Sequence, residues 1–198
     1  MRRGGEGVYL IVKRALDILL SGLLILLLGI PMLVISLLIT LTSKGGAIFK
    51  QERIGKDGQP FVCYKFRTMY KWTPSALPTS RFESSKNYIT PVGAVLRRSS
   101  LDELPQLLNV FLGDMSLVGP RPLIANEGEI HRIRERCGVY SLRPGITGLA
   151  QVSGRDELGD IEKARLDIKY LRNISIFEDI KIIAGTVSSV LLGKGFSG

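Results

Sequence analysis

The chain has 198 residues, 45% of them hydrophobic, and a formal net charge of +9, which suits one sizeable domain plus an appendage and points to anionic partners. Aromatic residues make up only 7%, too few for a base-stacking surface, so nucleic acid is not the expected partner. One histidine, His131, and two distant cysteines, Cys63 and Cys137, argue against a zinc centre or a disulfide framework.

Arg2, Arg3, Lys13 and Arg14 precede an uncharged run from Ile18 to Leu41. About 24 residues reach roughly 36 Å as a straight helix, enough for a bilayer core. The run is too long for a signal peptide and no small-residue cleavage site follows it. Gly29 and Pro31 interrupt it. The Pro31 ring clashes with the carbonyl of Leu27 four residues back, which predicts a kink. Each half then reaches one leaflet, at about 10 to 13 residues. Lys44, Lys50, Arg53 and Lys56 follow, so both flanks are basic and the positive-inside rule favours neither orientation. Two topologies fit: a broken helix that dips in and returns, and a single-pass helix with a tolerated proline.

Residues 47–51 and 61–66 read as short strands joined by Lys56-Asp57-Gly58-Gln59, with Asp-Gly as the turn. Lys65 and Arg67 fall on one face of the extended segment that continues to Met69. A solvated strand edge explains them equally well. Residues 71–91, with Pro74, Pro78 and Pro91, read as a surface loop.

The stretch Arg97-Arg98-Ser99-Ser100-Leu101-Asp102-Glu103-Leu104-Pro105-Gln106 is the centre of the chain. Leu101, Leu104, Leu107, Leu108, Phe111 and Leu112 recur at helical spacing, which predicts one amphipathic helix ending at Gly113. Ser100 and Glu103 match the capping-box pattern. The acidic pair fits two roles. Acids in a first turn are stabilised by the helix dipole alone. The same field would keep Asp102 anionic as a nucleophile toward a phosphorus whose oxygens are held by Arg97 and the helix end.

In Gly119-Pro120-Arg121-Pro122 the prolines stiffen the backbone around Arg121, so less entropy is lost when it grips a phosphate. A rigid connector with an exposed arginine is the plainer explanation. Residues 123–138 read as a polar helix charged nearly all round, with His131 solvated. Arg143 to Arg155 is a second anion-binding candidate, its Gly145, Gly148 and Gly154 allowing close backbone approach. It matches neither the Walker A nor the Rossmann fingerprint. Asp160 to Arg172 predicts a helix with Ile161, Ala164, Ile168 and Leu171 on one face. Ser175-Ile176-Phe177-Glu178 opens a last helix whose Ile180, Ile183, Val187, Val190 and Leu191 either cover the core or lie in a membrane surface.

Together these motifs resemble the bacterial sugar transferases, the monotopic polyprenyl-phosphate phosphoglycosyl transferases, in their small, minimal catalytic form. The resemblance runs from Lys13-Arg14 with Asp17, through Pro31, Phe49-Lys50-Gln51-Glu52-Arg53, Lys65 to Met69, Arg97 and Ser100 to Gln106. It continues through Gly113 to Ser116, Gly119 to Pro122 and Arg143 to Gly148, with Gln151, Val152, Gly154 and Arg155 behind. The family often has serine before the membrane proline; Ile30 stands there in this chain, leaving the break to Gly29 and Pro31.

The resemblance implies a mostly α fold with a small β-hairpin. Residues 1–44 would form a re-entrant helix–break–helix packed on a catalytic domain of residues 45–198, with amphipathic interfacial helices. It implies monotopic association with the bacterial inner membrane and its phospholipids, catalytic domain on the cytoplasmic face; a homodimer is left open. It implies transfer of a sugar phosphate from a UDP-sugar to a polyprenyl phosphate, releasing UMP, as a first membrane step of glycoconjugate synthesis. Asp102 would be the nucleophile, through a phospho-aspartyl sugar, with Glu103 beside it. Mg²⁺ is required in the family, and Asp102 and Glu103 are its candidate ligands. Lys65, Arg67, Arg97, Arg121, Arg143, Gln151 and Arg155 are the candidates for phosphate and nucleotide, and Lys13, Arg14 and Pro31 for the membrane side. A non-catalytic, membrane-anchored module that binds anionic lipid or polymer is the alternative from another class. It accounts for the charge and the apolar run, but not for an acidic pair inside a basic site.

Overall fold

The computed structural model describes residues 4–73, 88–154 and 158–192. It is mostly helical with two small sheets, in the order α1 (Gly4–Thr42), β1 (Ile48–Ile54), β2 (Pro60–Phe66), α2 (Pro91–Arg98), α3 (Gln106–Leu112), β3 (Ser116–Val118), α4 (Gly128–Arg136), β4 (Gly145–Thr147), α5 (Leu149–Ser153), α6 (Asp160–Arg172) and α7 (Ile176–Leu191).

The α1 helix is long and apolar enough to cross a membrane by length and composition. Pro31 lies inside it and does not divide it, so the expected helix–break–helix is one helical element. A proline can bend a helix while the flanking dihedrals stay helical. Both ends of α1 are fastened to the same body. Near the start, Lys13 donates to Asp179 at 2.6 Å, and Asp17 accepts the Leu117 N–H at 3.0 Å. Near the end, Ile39 is buried with Phe66 and Leu96, flanked by Met32 and Ile35. Between them Leu26, Leu27 and Ile30 are exposed.

The Asp-Gly turn forms as expected. Asp57 and Gly58 both take positive φ, 56° and 74°, the mirror-image turn that matches strand twist. The strands pair antiparallel from Ile48↔Phe66 to Ile54↔Pro60, with residues 55–59 forming the connection around this turn. A second, parallel sheet was not foreseen: β3 pairs with β4 through Ser116↔Gly145 and Val118↔Thr147. Its three-residue strands are too short to leave an alternation signal.

Burial corrects one helix face and bears on another that was left open. In α6 the buried residues are Ala164, Asp167 and Tyr170, whereas Ile161 is 49% exposed. Polar side chains with internal partners displaced the apolar face the sequence suggested. In α7 Ile182 is buried, while Phe177, Ile180 and Val187 are exposed. The stripe of Phe177, Ile180, Ile183 and Val187 is therefore exposed rather than packed into the core. Its N-terminus forms as expected, with the Ser175 hydroxyl accepting the Glu178 N–H at 3.1 Å. The polar helix is confined to Gly128–Arg136 and buries Ile130 and Arg134. His131 is half-buried and held by the Ile124 carbonyl and the Tyr140 hydroxyl rather than solvated.

Candidate active site

The acidic pair is not the first turn of a long helix. Leu101–Glu103 form a short 3-10 turn, and α3 starts only at Gln106, behind Pro105. Ser100 has φ 56° and makes no side-chain cap, so the capping box does not form. Pro105 lacks the N–H that would continue the α-helical ladder back to the Leu101 carbonyl, although Leu104 and Pro105 both keep helical dihedrals. Ser100 takes the left-handed conformation that a serine adopts at a cost, and this turns the chain sharply from α2 into the acidic pair. Gly113 ends α3 in the left-handed conformation, φ 107°, as expected.

Three elements bring cations to this turn. Strand β2 supplies Lys65, whose Nζ donates to Glu103 Oε1 at 2.6 Å. The segment after β3 supplies Arg121, whose two terminal nitrogens reach the same oxygen at 3.4 Å. Helix α2 supplies Arg97, fixed by Nε donating to Thr68 Oγ1 at 2.9 Å. Gly93 makes this possible, because a Cβ there would lie 2.0 Å from the Thr68 carbonyl oxygen. Only a glycine lets α2 rest on that backbone, and Arg97 follows one turn later on the same face.

Asp102 is pushed up from 3.8 to about 6. Burial is the main cause and the neighbouring Glu103 charge the second, while Lys65, Arg97 and Arg121 oppose both. A small cavity beside Glu103 is lined by Arg53, Cys63, Lys65, Gln106, Arg121 and Pro122. Arg53 is a cation the sequence reading left out of the site, although it lies in the Phe49–Arg53 motif. Burial pushes the Cys63 thiol up, so it is a poor nucleophile. Cys137 is exposed.

The other candidates are placed elsewhere. Arg67 is mostly buried and donates to the Ser43 and Lys44 carbonyls at 2.9 and 2.7 Å and to Ser43 Oγ at 2.8 Å. It sits on the carbonyl end of α1, which attracts a cation. Arg14 donates to the Val110 and Phe111 carbonyls at 2.7 and 3.0 Å, and Arg143 to the Gly113 carbonyl at 2.8 Å, so both serve the end of α3. Lys13 pairs with Asp179, which also takes hydrogen bonds from Tyr9 and Tyr170 at 2.9 and 2.6 Å.

The glycine-rich segment is closed off by the backbone of Gly119. A Cβ on Gly145 would lie 2.1 Å from the Gly119 nitrogen, and one on Gly148 2.1 Å from the Gly119 carbonyl oxygen. The close approach foreseen for these glycines joins two chain segments. Gln151 is buried, its Nε2 donating to the Ile146 carbonyl at 3.0 Å. Arg155 lies outside the described residues, as do residues 74–87 of the expected surface loop. Among the described residues no group of three or more His, Cys, Asp or Glu side chains gathers as a metal site.

Cations from three elements thus surround a pair of adjacent carboxylates, on the body that carries the long apolar helix. Residues 8–193 match the model of the bacterial sugar transferases. The chain is 38% identical to the exopolysaccharide production protein ExoY of Rhizobium meliloti, covering 92% of this chain and 87% of that one. It is 40% identical to the UDP-glucose:undecaprenyl-phosphate glucose-1-phosphate transferase of Escherichia coli, covering 96% of this chain and 42% of that protein. It is also 40% identical to the undecaprenyl-phosphate galactose phosphotransferase of Salmonella typhimurium, over 93% of this chain and 41% of the relative. The chain belongs to the bacterial sugar transferase family, and the expectation of a phosphoglycosyl transferase is met.

Proposed function

We propose that the chain moves a sugar 1-phosphate from a UDP-sugar to undecaprenyl phosphate or a similar polyprenyl phosphate, releasing UMP. The observation that carries this reading is the Asp102–Glu103 pair enclosed by Lys65, Arg97 and Arg121. In the first step an Asp102 carboxylate oxygen attacks the β-phosphorus. The new bond is Asp102 O–P, and the bond broken is that phosphorus to the bridging oxygen, which leaves on UMP with its electron pair. In the second step a polyprenyl phosphate oxygen attacks the same phosphorus, and Asp102 departs as a carboxylate. The cations hold the phosphate oxygens and compensate charge as it develops.

Two adjacent carboxylates suit Mg²⁺, which favours hard oxygen donors and takes one or two carboxylates together with waters and substrate phosphates. Asp102 and Glu103 would hold it, and it would supply charge neutralisation at the diphosphate. Glu103 already binds Lys65 and Arg121, so its carboxylate ties the metal site to the cations.

Attachment of both ends of α1 to one body supports a re-entrant anchor. A spanning helix would carry its ends to opposite faces of the bilayer, yet Lys13 and Asp17 at one end and Ile39 and Ser43 at the other contact the same domain. The outward apolar face of α7 supports placement of that domain on the membrane surface, with the acidic pair open to a soluble donor on the cytoplasmic side.

The test is UMP release from the detergent-solubilised protein with a panel of UDP-sugars, Mg²⁺ and polyprenyl phosphate. Release with one donor, lost in Asp102→Asn, is the expected result, with an intact-mass adduct of one sugar phosphate after donor alone. Binding of anionic lipid with no release from any donor would favour the non-catalytic module.

A further inference from the structure

Two charged residues outside the catalytic group are buried together. Arg134 on α4 and Asp167 on α6 have side chains only 3% and 2% exposed. Arg134 Nε and Nη2 both donate to Asp167 Oδ2, at 2.9 and 2.6 Å. Its remaining arm, Nη1, donates to the backbone carbonyl of Arg121 at 2.8 Å. The next carbonyl, of Pro122, accepts from Arg53 Nη1 at 3.1 Å. Arg53 lies 3.9 Å from Glu127 Oε1, the oxygen that also accepts the Ile124 N–H at 3.0 Å. Successive carbonyls on the segment that presents Arg121 are therefore gripped by two arginines from different elements.

Pro120 and Pro122 fix their own φ angles and restrict the residue before each, so the peptide plane after Arg121 is confined to a range of tilts but not to one of them. The Arg134 bond to the Arg121 carbonyl sets that tilt. Sequestering an ion pair is a poor source of stability, since desolvation offsets much of the attraction. It does hold a guanidinium in one orientation, and here the held guanidinium ends on the arginine that meets Glu103.

We infer that Arg134, oriented by Asp167, is a positioning residue for Arg121 in the transfer reaction. The inference rests on the proposed function, because it assigns Arg121 to the donor phosphates. A displacement of about 1 Å in a group that positions charge can cost on the order of a hundredfold in rate, so the clamp acts on catalysis without touching substrate.

The test is a double-mutant cycle on the full chain, read as UMP release with the same panel of UDP-sugars, with thermal unfolding measured in parallel. Arg134→Lys keeps the charge but has a single ammonium, which cannot serve Asp167 and the Arg121 carbonyl in the same fork geometry. It is expected to lower kcat/KM for the donor about tenfold in the otherwise unaltered chain, and less than about twofold when Arg121 is already alanine. Equal losses in both backgrounds would overturn the inference, because Arg134 would then act on the fold as a whole; full activity in Arg134→Lys would overturn it as well. Should that variant not fold, Asp167→Asn takes its place in the cycle, with the same non-additivity expected and additivity again overturning it. Absence of UMP release from the unaltered chain would instead remove the underlying reaction, a result distinguishable from additivity.

Discussion

Two groups of basic residues, alike in the sequence, do different work. Lys65, Arg97 and Arg121 surround the acidic pair, and Lys65 and Arg121 share one Glu103 oxygen. Arg14, Arg67 and Arg143 end on main-chain carbonyls at the exits of α1 and α3. A side-chain carboxylate can rotate away and leave its cations to an incoming phosphate. A carbonyl at a helix end cannot move without unwinding the helix. Under the proposed function the first group would exchange its carboxylate for substrate phosphate, whereas the second is committed to structure.

The largest expected effect lies at the centre of the first group. Asp102→Asn should abolish UMP release, by a thousandfold or more on the order of nucleophile removals, because an amide is a poor nucleophile. The same change should make the protein more stable in chelator at neutral pH. The folded-state value of Asp102, about 6, lies above its ordinary 3.8, so the folded chain holds the proton more tightly than the unfolded one. Its contribution is fully present below pH 3.8 and is lost as pH rises through about 6. At pH 7 the asparagine should therefore gain about 1–3 kcal/mol, read as a higher unfolding midpoint, and the gain should vanish near pH 4.

Arg121→Ala tests the exchangeable group next. It should lower kcat/KM by about a hundredfold, as for loss of one donor to developing charge, with little change in thermal midpoint. Arg67→Ala should reverse that pattern. It removes three hydrogen bonds from a mostly buried guanidinium and should cost about 2–4 kcal/mol of stability, while turnover per folded molecule falls little. A large kcat loss in Arg67→Ala at unchanged stability would break the division between the two groups. The smallest effect is expected at Ser100, whose left-handed backbone serves the turn. Ser100→Gly should stabilise by roughly 0.5–1 kcal/mol, measured by chemical denaturation, with activity within a factor of two.

Local chemistry was legible wherever one residue type has one use. Asp57-Gly58 gave the hairpin, Gly113 the end of α3 and Ser175 the start of α7, and the uncharged run gave an apolar helix, although the break expected at Pro31 does not divide it. It was not legible where a side chain's partner lies far along the chain. Asp167 looks like a surface acid on α6 until Arg134, 33 residues away, is brought against it. Gly145 and Gly148 look like a phosphate cradle until Gly119 is found filling the space. The second sheet and the outward face of α7 were similarly hidden or left open, the one by strand length and the other because hydrophobicity does not distinguish a core from a lipid surface.

The sequence by itself determined the acidic pair, most of the candidate cations, the long apolar segment and the family to which they belong, because these depend on residue identity and short-range spacing. Only the tertiary structure decided which cations reach the pair and which end helices, that Ser100 turns the chain where a capping box was expected, and that Arg53 and Arg134 hold the Arg121 segment. Those outcomes depend on which carbonyl or carboxylate comes within hydrogen-bonding distance, and that distance is fixed only when elements remote in sequence pack together.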